Sequence, residues 1–269
     1  MITFRLINSF FDTMKNPLFT SLIAICFIAF SFIPATGQTA DDIEKIIYKA
    51  ENKLRGKSSI SQMKITTIRA RYTREMRIKS WTQGEDLSLM YIMEPDRDKG
   101  TTYLKRNKEI WYYLPSIERN IKMPPSMMNQ SWMGTDLSND DLVKKTSLSK
   151  DFDHTLIAME SISEKKCYHI KLIPHENADV IWWKIELWIE KENFNVMKQE
   201  SFDEDMELVN TMLASDIKNM GGEIIPSKMQ FFPADKPNQK TLMEYESIEF
   251  DVTIPSHYFT TQYMTKIKA

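Results

Sequence analysis

The sequence predicts a mainly β, α+β chain: a strongly curved antiparallel sheet with few helices. Three observations carry that prediction. From residue 59 onward, apolar and polar residues alternate with a period of two over most of the chain. The alternating runs are short and separated by turn residues, as at Gly84-Glu-Asp86, Asn107-Lys108 and Gly221-Gly222. No proline- or glycine-rich linker divides them, so residues 38–269 read as a single domain. Alternation gives a sheet one apolar face, and the two helical stretches are too few to cover it. Such a sheet has to curl upon itself around apolar space.

The N-terminal segment stands apart. Arg5 and Lys15 precede an apolar run from Leu18 to Ile33, and Pro34-Ala35-Thr36-Gly37 offers small residues before Gln38. The run is shorter than the ~20 residues of a comfortable membrane span. Residues 1–37 therefore read as a cleaved signal peptide, and the mature chain is expected in the periplasm. Cys26 lies inside the apolar run rather than at the cleavage point, so no lipid anchor is expected through it. Removing Arg5, Lys15 and Asp12 leaves 33 basic and 36 acidic residues, a net charge of -3. That balance speaks against nucleic-acid binding. One cysteine, Cys167, remains, so no internal disulfide is expected.

Asp41 to Leu54 reads as a helix. Thr39 and Asp41 are candidate N-caps, and Ile43, Ile46, Ile47, Ala50 and Leu54 form one apolar stripe that Gly56 ends. Strands follow over Ile60–Arg71, Arg74–Gln83, Leu87–Met93, Thr101–Arg106 and Glu109–Leu114, with Pro95 closing the third. A Met-rich, proline-punctuated connection then leads to a helix start near Asp136–Asp141, where carboxylates suit free amides. The second run of strands covers Asp153–Ser161, Lys166–Pro174, Val180–Glu190, Val196–Phe202, Met206–Lys218, Glu223–Phe232 and Lys240–Phe250. In Val180–Glu190, Trp183, Ile185, Leu187 and Ile189 share one face, with Trp182 and Trp188 on the other. Ser256–Met264 reads as a last strand or a short helix.

Chemistry-bearing motifs are sparse. His154, His169, His175 and His257 show no metal-ligand spacing, and only the loop with His175, Glu176 and Asp179 could hold a metal. There is no G-x-S-x-G elbow, no G-x-G-x-x-G and no Walker motif, and glycine is scarce, at 7 residues. Neither cofactor nor catalytic residue is expected, and the protein is read as a non-enzyme. What remains is apolar: Met and aromatic residues concentrate at Met90, Ile92, Trp111, Tyr113, Met123, Trp132 and Met133. They form either an ordinary core or a soft cavity for an elongated apolar ligand, because flexible thioethers suit both.

The stretch around this cluster resembles a known family. Trp111-x-Tyr113-x-Pro115 is followed by Arg119, by Ser131-Trp-Met-Gly-Thr-Asp-Leu137 and by Asp140-Asp-Leu142. Upstream stands Glu94-Pro95, then Lys99-Gly100-Thr-Thr-Tyr-Leu104. Over roughly residues 90–142 the chain resembles outer membrane lipoprotein-sorting proteins of the LolA-like superfamily. It departs from their pattern at Asn129-Gln130 and at Leu137, where an aromatic residue is commoner.

The resemblance implies an incomplete, LolA/LolB-like barrel with covering helices and a hydrophobic half-barrel cavity. The implied function is a periplasmic carrier of a lipoprotein acyl chain or another lipid. Cavity or lid residues would be Met90, Ile92, Trp111, Tyr113, Met123, Trp132, Met133, Leu137, Trp183, Ile185 and Leu187, with Arg119 and Asp136 at the mouth. The partners would be lipid or lipoprotein acyl chains and an inner- or outer-membrane protein, and the carrier would be a monomer. The competing reading is an envelope protein that docks on an export or membrane-complex partner.

Overall fold

The computed structural model describes residues 40–143, 146–178 and 180–267. The expected signal peptide over 1–37 lies outside the described residues, as do Thr39 and Asp179. Helix α1, Ala40–Asn52, presents Ile43, Ile46, Ile47 and Ala50 as a buried stripe. It stops where the Gly56 N–H donates to the Asn52 carbonyl at 3.0 Å, and Gly56 then turns the chain with a φ of +60°.

Six strands follow: β1 Ser58–Arg69, β2 Tyr72–Gln83, β3 Leu87–Glu94, β4 Thr102–Arg106, β5 Glu109–Leu114 and β6 Arg119–Lys122. A connection with 3-10 turns at Pro125–Met127 and Trp132–Gly134 and a short helix α2, Asn139–Val143, leads to the second run. That run is β7 Phe152–Ile162, β8 Lys165–Pro174, β9 Lys184–Glu190, β10 Val196–Phe202, β11 Leu208–Met220, β12 Glu223–Pro233 and β13 Lys240–Phe250. A 3-10 turn at Ser256–Phe259 and helix α3, Thr261–Met264, close the chain.

All thirteen strands belong to one sheet in the order β6-β5-β4-β3-β2-β1-β13-β12-β11-β10-β9-β8-β7. Each run is a meander, and the two are joined by antiparallel pairing of β1 with β13. The edges, β6 and β7, do not pair, so the sheet stays open. It is nonetheless curled. Strands β4 and β9 stand eight steps apart, about 38 Å in a flat sheet at ~4.8 Å per step. Yet Lys105 of β4 and Ile185 of β9 line one cavity.

Both faces are covered. On the concave face, Ile65, Ile78, Ile92 and Tyr103 pack under Met123, Trp132 and Leu137 of the connection. Beside them, α1 packs on Ile170, Leu172, Leu187 and Ile189. On the other face, Trp81, Leu89, Tyr91 and Leu104 lie under Ile254, Phe259, Met264 and Ile267 of the C-terminal segment.

Two elements differ from expectation, and a third is decided between two readings. β6 was not anticipated, because Arg119-Asn-Ile-Lys122 carries a single apolar residue and its pairing with β5 supplies the order. Of the two readings of Ser256–Met264 the structure takes the helical one, with the Thr260 hydroxyl accepting from the Tyr263 N–H at 3.3 Å as a cap. β9 starts at Lys184 rather than Val180, and Trp183 remains 50% exposed.

The β11–β12 turn runs so close to β13 that a Cβ on Gly221, at φ +62°, would meet the Ile248 carbonyl oxygen at 2.6 Å. A Gly221→Ala variant should therefore lose about 1–3 kcal/mol of stability. Urea titration should give a lower midpoint at unchanged slope.

Candidate functional site

Between the concave face, α1 and the connection lies a cavity of about 270 Å³. Its wall alternates with the strand period, because only every second residue of a strand reaches one face. Met63 of β1, Met90 of β3, Met212 of β11, Met229 of β12 and Met243 of β13 line it, joined by Leu137 and Trp182 from the loops. Toward the other ends of β1–β4 the same face turns polar. Ser59 pairs with Thr82, Thr82 with Ser88, and Ser88 with Lys105, forming one row across four strands. Ser61 and Ser80, paired with each other, form a second row beside it. All six residues of these two rows line the cavity.

The cover is held by side chains rather than by regular structure. At one end Asp136 is clasped by Arg69, with Nη1 and Nη2 each donating to a carboxylate oxygen at 3.0 Å. The Thr241 hydroxyl donates to the same carboxylate at 2.7 Å. Arg69 Nη2 also donates to the Gly134 carbonyl at 2.7 Å, and Arg74 Nη1 to the Met133 carbonyl at 2.9 Å. Met133 itself has a φ of +48°, a left-handed conformation that these contacts hold in place. In the middle, Ser138 and Asp141 form a reciprocal cap on α2: each backbone N–H donates to the other's side chain, at 2.9 and 3.0 Å. Trp182 Nε1 donates to Asp141 at 3.2 Å. At the far end Glu51 of α1 accepts from the Leu148 and Ser149 amides at 3.1 and 3.3 Å and from the Ser149 hydroxyl at 2.9 Å.

One lysine is buried in this wall. Burial first, and the Arg55 guanidinium second, push Lys105 down to about 8, against the pull of Asp86, Asp140 and Glu51. Arg55 is itself buried and lines the cavity. Burial also pushes the Tyr103 phenol up to about 12.

The structure separates the residues expected from the sequence. Met90, Leu137 and Ile185 line the cavity. Ile92, Met123 and Trp132 are buried in the apolar cluster under the cover, with Met133 half-buried against it, and Leu187 packs beneath α1. Trp111 and Tyr113 are corrections: they point to the opposite face, against the C-terminal segment, while Ile110 and Tyr112 take the concave side. A one-residue offset in strand parity produces that exchange. Trp183 is also a correction, since it precedes the strand that was to orient it. Arg119 is exposed on the edge strand β6 and has no ion-pair partner among the described residues. Asp136 does not cap a helix but takes the guanidinium of Arg69. His175 is partly exposed and lies 3.5 Å from Asp153.

Sequence reading missed Met63, Met212, Met229 and Met243, which sit in strands whose inward face had not been assigned. It also missed the clamps from Arg69, Arg74 and Glu51. Their partners are 67, 59 and 97 residues away in sequence, beyond any local signal.

Residues 84–266 match the model of a family described as uncharacterized protein. No curated protein matches the chain. Among solved structures the chain is similar to a DUF1329 family protein from Desulfovibrio piger, with a TM-score of 0.77 and 19% identity over 85% of this chain and 100% of that one. It is similar to a domain assigned to outer membrane lipoprotein sorting from Vibrio parahaemolyticus, with a TM-score of 0.73 and 18% identity over 84% and 100%. A LolA superfamily protein from Nitrosomonas europaea gives a TM-score of 0.70 and 23% identity over 84% and 100%. At such identities the likeness is one of fold.

Two outcomes test the site as built. Lys105 is neutral in the folded chain above about pH 8, whereas unfolded lysine holds its proton to about 10.4. The unfolded state then binds more protons, so stability should rise between pH 8 and 10. Urea midpoints should show that rise, and Lys105→Met should flatten it. Arg69→Ala strands the Asp136 carboxylate, whose side chain is 6% exposed, and should cost about 3 kcal/mol. Amide exchange over residues 131–138 should accelerate in that variant more than in the strands.

Proposed function

We propose a carrier function, starting from the fact that the chain belongs to the family of uncharacterized proteins matched over residues 84–266 and has the fold of LolA superfamily proteins. The protein holds a lipid, or the acyl chain of a lipoprotein, in the cavity beneath its cover. It does so in the periplasm, as a single-domain monomer released from its signal peptide, and it catalyses no reaction. The observation that carries this reading is the methionine wall. Five flexible side chains from five strands face space that the cover leaves unfilled. Thioethers adapt their shape to an apolar guest. At about 270 Å³ the space lies just under the ~300–1,000 Å³ of small-ligand sites, which suits one chain rather than several. The name of the Vibrio neighbour, a lipoprotein-sorting domain, points to the same class of cargo.

Native mass spectrometry tests this directly, on protein purified without detergent from the host envelope. A bound mass that dissociates as lipid is expected. Met229→Trp, which fills the cavity from one wall, should abolish it while the far-ultraviolet spectrum is retained. A bare protein that also refuses added lipid would return the methionines to ordinary packing. The function would then be docking on an envelope partner.

A further inference from the structure

The cavity has two chemistries, and the division follows the strands. Along β1, β2 and β3 the inward positions run from Ile65, Ile78 and Ile92 at one end to Ser59, Thr82 and Ser88 at the other. Inward serine and threonine are poor core residues unless a partner accepts their hydroxyls. Other polar residues of the wall have such partners: Gln199 donates to the Ser201 hydroxyl at 3.1 Å and Asn210 to the Asp136 carbonyl at 2.8 Å. The hydroxyls of Ser59, Ser61, Ser80, Thr82 and Ser88 have none among the described residues, and none is sealed away from the cavity.

Charges of both signs line this end. Glu51 is committed to the 147–149 segment, and Glu85 to Lys150 at 2.6 Å. Asp140 also lines the cavity and offsets part of the positive charge there. Lys105 and Arg55 are two buried cations close enough to repel each other. A guest bearing negative charge relieves that repulsion, and five unpartnered hydroxyls can donate to its oxygens.

Resting on the carrier reading, we propose that the row Ser59–Thr82–Ser88–Lys105 is a head-group site for a single-chain amphiphile that ends in an anionic oxygen-rich group, a carboxylate or a phosphate monoester. The chain lies along the methionine wall and the head meets the hydroxyl row.

Competition against a bound apolar dye tests it, using the protein as its host processes it. The probes are hexadecanoate, hexadecyl phosphate and hexadecanol. At least one acid should displace the dye at about tenfold lower concentration than the alcohol, as charge-assisted hydrogen bonds require. The tighter acid identifies the head. Lys105→Met should bring acid and alcohol together, Lys105→Arg should keep them apart, and the milder pair Thr82→Val and Ser88→Ala should narrow the gap if Lys105→Met does not fold. Equal binding of alcohol and acids by the unaltered protein would overturn the head-group site and leave the carrier standing. So would a preference that survives Lys105→Met and the milder pair alike. Failure of every probe to bind would overturn both.

Discussion

The pairing of the first strand with the last is the constraint on which the rest depends. β1 and β13 are separated by the whole sheet in sequence, yet their contact turns two meanders into one surface. Without it, each half would expose a long unpaired edge. Cavity residues meet across this seam: Met63 stands opposite Tyr245, and next to them Met243 stands opposite the packed Ile65. A slip of one residue would send all of them outward. The register shifts once, between Gln62 and Met63, where β13 carries one extra residue. That irregularity falls at the boundary between the hydroxyl-bearing and the apolar ends of β1. It changes the parity of β13, so that Phe250 and Ile248 stand opposite Ser59 and Ser61 while Tyr245 and Met243 stand opposite Met63 and Ile65, and it increases the local twist.

An open curled sheet still needs a lid, and regular helices would bury too much to leave a cavity. The connection solves this with little regular structure. Among the described residues, part of its backbone bonds within the connection itself, and further backbone groups are met by side chains from the sheet and α1, as buried or half-buried backbone demands. Arg69, Arg74, Asn210 and Thr241 meet the stretch from Met133 to Asp136, and Glu51 meets residues 147–149. A buried ion pair such as Arg69–Asp136 adds little net stability over apolar packing. It does fix one position of the cover, because neither charge has another partner of opposite sign among the described residues within 4 Å. Between these anchors, Trp132 and Leu137 fill part of the concave face, and the space toward Met90 and Met243 stays open.

How much of this the sequence discloses depends on range. Hairpins are local, so the strands with clear alternation and turn residues were legible to within a few residues, from β2 through β5 and again from β10 to β13. Helix α1 was legible for the same reason, since its stripe repeats every turn. The curled antiparallel class followed from one apolar face and too few helices. Parity at the aromatic strand was not legible. Trp111-Tyr-Tyr113 is apolar on both faces, and the C-terminal segment that covers Trp111 lies more than 140 residues away, at Ile254 and beyond. The clamps and the hydroxyl row were hidden for a related reason. Each serine of the row looks like a solvent-facing residue in its own strand, and only the register of four strands brings them together.

The distribution of branched and unbranched side chains then carries functional meaning. Where the protein packs on itself, the concave face uses β-branched residues: Ile65, Ile78, Ile92 and Ile170 are fully buried. Their stiff rotamers hold a fixed shape, which close packing rewards. Where the same face borders the cavity, methionine replaces them on β1, β3, β11, β12 and β13, with Ile185 and Val196 as exceptions there and the fully buried Met76 as one on the packed side. Selection for packing alone would give no reason to switch residue type at the cavity boundary. A wall that must close against itself when empty and yield to a chain when full does give one. Three rotatable bonds per side chain allow both states without moving the sheet. The rigidity therefore resides in the seam and the clamps, and the compliance in the methionines.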